Sequence, residues 1–114
     1  MVGFMLVGSV VYAAAADVYL NTSASSAESP NIAQGTGNGR VWGIIDNGVD
    51  MKVSAMETIE FWPDTTLYSF NLSGVGDQDQ QDITLPDANN GYYVRLNQIG
   101  SNDTLGRGRI RNDL

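Results

Sequence analysis

From residue 40 onward, turn-forming clusters recur every eight to twelve residues, and that punctuation limits the chain to short extended segments. Asp46-Asn47-Gly48 is hairpin chemistry, because Asn and Gly tolerate the positive φ that tight turns demand. Pro63-Asp64, the polar stretch 73–82 and the stretch 86–91 break the chain again, and no amphipathic helix follows residue 62. The intervening segments alternate. In 66–72 the set Thr66, Tyr68, Phe70 and Leu72 is the expected core face. In 92–99, the longest clean strand, Tyr92, Val94, Leu96 and Gln98 share one face, opposite Tyr93, Arg95, Asn97 and Ile99. Residues 41–45 read as a strand with a return strand from Val49, and the mixed spacing of 51–62 reads as a strand with a bulge or break. The expected fold is all-β, a single small antiparallel sandwich or jelly-roll-like domain over 40–114.

Residues 1–16 carry no charged side chain and end at Asp17 in Ala14-Ala15-Ala16, small residues where signal-peptide cleavage requires them. Export to the cell surface or beyond is the expectation, although only the amino terminus supplies positive charge. A retained helix over 1–16 would rise about 24 Å, short of the roughly 30 Å of a bilayer core. The remaining account packs this segment as an assembly helix between subunits, burying Val2, Phe4, Leu6, Val10 and Tyr12. Residues 17–39 read as an extended polar linker, with Val18-Tyr19-Leu20 a short strand candidate at its start and Pro30 and the Gly35–Gly39 cluster breaking the rest.

A chain of 114 residues is one domain's worth, and with neither Cys nor His it has no disulfide, thiolate or imidazole chemistry. The net charge of −7 repels phosphate backbones and anionic lipid surfaces, so nucleic acid is excluded as a partner and membrane contact is expected only during export. Nine acids against Lys52 alone occupy 41–94, whereas four arginines against two aspartates occupy 95–114. Arg107, Arg109 and Arg111 therefore suit either a solvated terminus or pairing with the acidic body of a neighbouring copy.

Chemical constellations are few. Asp77, Asp79 and Asp82 offer hard oxygen ligands for Ca²⁺, without the Gly and closing Glu of an EF-hand loop. No other cofactor is implied. Glu57 and Glu60 could be imagined as an acid and base, but no cleft is assignable to them beyond Phe61 and Trp62, and a non-enzyme is expected. Three sequons, at Asn21, Asn71 and Asn102, fall near turns or strand ends, where export into a glycosylating compartment would expose them.

An uncharged apolar segment leading into a small, acidic, cysteine-free β-rich head resembles the pilins and similar secreted filament subunits. The resemblance implies an N-terminal helix in the filament core and a β head facing solvent. Met5 stands where bacterial type IV pilins usually carry Glu. The expected function is a structural subunit of an extracellular filament, assembling with its own copies or a companion subunit. Two alternatives stand beside it. One is a virion coat or decoration protein; the other is a secreted carbohydrate- or Ca²⁺-binding module using Trp42, Trp62, Tyr92 and Tyr93 as stacking platforms.

Overall fold

A computed structural model describes residues 14–21, 23–100 and 103–114. Eight strands form two four-stranded antiparallel sheets: β1 (Ala15–Leu20), β2 (Ser26–Glu28), β3 (Asn38–Asn47), β4 (Asp50–Thr58), β5 (Thr65–Ser73), β6 (Gln78–Thr84), β7 (Gly91–Gln98) and β8 (Leu105–Arg111). The sheet orders, β1-β8-β3-β6 and β2-β7-β4-β5, are those of a jelly roll, and the described residues contain no helix. The all-β sandwich expected from the turn spacing is therefore observed. The expected helix lies in residues 1–13, outside the described residues, while Ala15 and Ala16 already belong to β1.

The two inner faces follow the period-2 rule. Val18, Leu20, Val41, Ile45 and Ile110 from the first sheet meet Met51, Val53, Leu72, Tyr92, Val94 and Leu96 from the second, all 5% exposed or less. Each such apolar side chain contributes roughly 1.5–3 kcal/mol relative to exposure. Gly43, Gly106 and Gly108 hold inward positions of the first sheet, where a Cβ would lie 2.5 Å from Val53 Cγ2, 2.3 Å from Met51 Sδ and 3.0 Å from Leu96 Cδ2 respectively. The glycines thus make room for the larger side chains of the facing sheet.

Five sequence expectations change here. The Asp46-Asn47-Gly48 turn forms, with Gly48 at φ 98°, but β3 and β4 belong to opposite sheets and do not pair as a hairpin. The supposed linker 17–39 carries most of β1, all of β2 and the fully buried Ile32, whose backbone pairs with Tyr92. The polar stretch 73–82 contributes the first residues of an edge strand, β6, pairing with β3. The basic terminus is the interior strand β8, with Arg107, Arg109 and Arg111 outward and Gly106, Gly108 and Ile110 inward. In β5 the register slips past Leu67 opposite Ala55 and Met56, so Leu67 packs on the core and Thr66 leaves the expected face, while Tyr68 keeps the face of Phe70 and Leu72 but is exposed on this edge strand.

Candidate functional site

Reading residues across the first sheet in register gives three rows on its outer face. The central row runs Asp17, Arg109, Trp42, Gln80 from β1 through β8 and β3 to β6. Tyr19, Arg107, Ile44 and Gln78 lie on one side of it; Ala15, Arg111, Arg40 and Asp82 lie on the other. With strands about 4.8 Å apart, each row spans roughly 14 Å. A cleft of about 310 Å³ opens over this face, lined by Asp17, Tyr19, Arg40, Trp42, Gln80 and Arg109 among others, and its size falls at the lower end for small-molecule sites.

The four arginines of this face each find a carboxylate. Arg109 grips both oxygens of Asp17 at 2.6 and 3.1 Å, and Arg107 both oxygens of Asp46 at 2.9 Å. Arg40 donates to Asp82 at 2.6 Å and Arg111 to Asp113 at 2.7 Å. The hydrogen bond from Arg109 holds the Asp17 carboxyl below its ordinary value of 3.8, and Arg40 does the same for Asp82. The face is consequently dense in oriented donors and acceptors yet balanced in charge.

Trp42 is half-buried at its centre. Its indole Nε1 donates to Gln78 Oε1 at 3.1 Å, and the Arg107 guanidinium carbon stands 6.0 Å from its ring centroid. Two polar contacts thereby fix the ring in place. Tyr19, 65% exposed, lies two strands away on β1, at the edge of the sheet. Sequence reasoning placed Tyr19 in a short strand candidate without a site role and missed the arginine–aspartate pairs; their signal was the alternation of 15–20 and 105–111.

The other expected sites disperse. Strand alternation puts Asp79 and Asp82 on opposite sides of β6, Asp77 accepts from the Ser73 amide, and no group of three metal-ligating side chains occurs among the described residues. The Ca²⁺ trio is not brought together. Glu57 is buried and accepts from Asn90 Nδ2 at 2.8 Å, while Glu60 is exposed, so they form no working pair. Tyr92 is fully buried and Tyr93 is 4% exposed, which removes both as stacking platforms; Trp42 and Trp62 stay accessible. Arg107, Arg109 and Arg111 spend their charge within the chain. Val2, Phe4, Leu6, Val10 and Tyr12 lie outside the described residues, as does Asn102, whereas Asn21 and Asn71 are exposed.

No protein-family model matches the chain, and its sequence matches no curated protein. Solved structures with a similar backbone course include the mitogen of Yersinia pseudotuberculosis, at 7% identity and TM-score 0.49, over 89% of this chain and 85% of that one. A CBM4 structure shares 16% identity at TM-score 0.46, over 82% and 78% of the two chains. TmCBM61 in complex with β-1,4-galactotriose shares 14% at TM-score 0.44, over 85% and 66%.

Proposed function

We propose that this chain is a secreted, non-enzymatic carbohydrate-binding module whose ligand lies across the outer face of β1-β8-β3-β6. The observation that carries the reading is the central row, in which a fixed Trp42 ring sits between the Asp17–Arg109 pair and Gln80. A sugar presents an apolar C–H face and a rim of hydroxyls, each both donor and acceptor. Trp42 supplies a flat surface for the first, and the guanidinium, carboxylate and amide groups supply matched partners for the second. Charge decides between ligand classes. Because each arginine is neutralised by a carboxylate neighbour, the face has little net attraction for phosphate or sulfate and suits a neutral polyol.

The same chemistry supports binding over catalysis. Arg109 and Arg40 keep Asp17 and Asp82 ionised, and guanidinium groups do not give up protons near neutrality, so the row offers no group poised to exchange one. The filament reading rests on the apolar segment 1–16, of which residues 1–13 lie outside the described residues, together with contacts of the β domain. Titration calorimetry of the full chain against a panel of neutral hexose and pentose oligosaccharides tests the proposal. A saturable heat is expected, weakened at least about 30-fold, or roughly 2 kcal/mol, by Trp42→Ala with the melting temperature preserved. Absence of binding across the panel at millimolar sugar, or binding indifferent to Trp42→Ala, would overturn it.

A further inference from the structure

Beyond that reading, the β4–β5 connection presents a second feature. Trp62 N–H donates to the Ile59 carbonyl at 3.2 Å and closes a four-residue turn, with Phe61 third in it at φ 65°. That is where a type II turn ordinarily takes Gly, since a side chain crowds the left-handed region. Here the position holds a bulky aromatic residue, and the turn turns it outward. Phe61 is 94% exposed and Trp62 72%, so both rings stand largely in solvent. The turn is nonetheless anchored: the Tyr93 hydroxyl donates to Asp64 just beyond it, Arg95 donates to that hydroxyl at 2.9 Å, and Arg95 pairs with Glu28.

We propose that Phe61 and Trp62 form a wedge that inserts into the interface of a zwitterionic lipid bilayer. Shape and area favour this occupant. Two aromatic side chains offer roughly 300–500 Å², below the roughly 800 Å² per partner of a stable protein interface. Around them Glu60, Asp64, Thr65 and Thr66 are exposed, so only Pro63 and the partly exposed Ile59 extend the apolar patch beyond the two rings. A bilayer interface demands no complementary groove, and indole favours it because its body is apolar and its N–H polar. The net charge of −7, with Glu60 and Asp64 flanking the wedge, selects neutral headgroups over anionic ones.

Because the chain has two tryptophans, Trp42→Phe leaves Trp62 as a site-specific probe. With phosphatidylcholine vesicles its emission should shift to the blue and be quenched by brominated acyl chains. Phe61→Ala in the same background should lower the partition coefficient roughly tenfold or more, and replacing a third of the lipid by phosphatidylserine should weaken binding. Phe61→Gly should lose lipid affinity while melting no lower than the parent, which separates loss of the wedge from loss of the fold. Vesicle association that leaves Trp62 emission at its aqueous position, as capture through residues 1–13 would, overturns the proposal. So does equal binding by Phe61→Ala, or a Trp62 response to soluble oligosaccharide in place of lipid.

Discussion

At the scale of single residues, function is written in how exposed side chains are restrained. Trp42 is held by Gln78 and Arg107, and the arginines beside it are held by carboxylates, so this face is organised before anything binds. Arg109→Gln should loosen sugar binding by about tenfold, because it removes a paired guanidinium and leaves Asp17 unmatched. Acid should act on the same pair. Asp17 has its folded value below 3.8, so its contribution is complete above 3.8 and lost as pH falls through the depressed value. Binding measured by calorimetry should accordingly be level from neutrality down to pH 3.8 and be lost only as pH falls through the depressed value below it. The alkaline limb belongs to Tyr93. Burial, and then its bond to Asp64, pushes the phenol up to about 12. The folded chain thus keeps this proton longer than the unfolded one, and stability should decline as pH rises from 10 towards 12. Tyr93→Phe should flatten part of that decline in alkaline melts. Phe61→Gly should raise stability by up to about 1 kcal/mol, the left-handed penalty less the entropy that glycine adds to the unfolded chain.

At the scale of elements, the sandwich depends on glycines where strands usually carry bulk. Gly43→Ala should cost about 1–3 kcal/mol by pressing a methyl group against the β-branched Val53, whose stiff side chain has little room to turn. Gly106→Ala should cost less, since its nearest neighbour is the end of the flexible Met51; urea unfolding of the two variants gives the comparison. These glycines also explain what was readable in advance. Strand β7 and the β3 core announced themselves through alternating Val, Ile, Leu and Tyr, and the fold class came from turn spacing. Strand β8 did not: its inward set is Gly106, Gly108 and Ile110, so a buried strand looked like a basic tail. Strand β6 has only Ile83 partly buried, and its pattern resembles a loop. In β5 one bulge carries Leu67 onto the core and takes Thr66 off the face that Tyr68, Phe70 and Leu72 still share, a shift that periodicity cannot register. The candidate face stayed hidden for a related reason: β8 reads as a tail, and only Val18–Leu20 of β1 and the last residues of β6 carry a strand signal, inside an expected linker and loop.

At the scale of the molecule, the jelly roll separates two surfaces. The first sheet presents a charge-balanced polar face around Trp42, and the connection leaving β4 of the second sheet presents two apolar rings. The overall charge of −7 lies largely outside the paired arginines and keeps anionic ligands and lipids away from both. Sugar affinity should therefore change little with ionic strength, whereas a face recruiting phosphate or sulfate would weaken steeply as salt rises. The central claim is that the ligand lies on Trp42. Among the described residues two indole N–H groups, of Trp42 and Trp62, report on the two surfaces separately, so a two-dimensional ¹⁵N–¹H spectrum of the full chain titrated with neutral oligosaccharides reads the claim directly. A saturable shift of the Trp42 indole signal with the Trp62 signal unmoved is the result predicted; saturation that moves Trp62 and leaves Trp42 in place would contradict it.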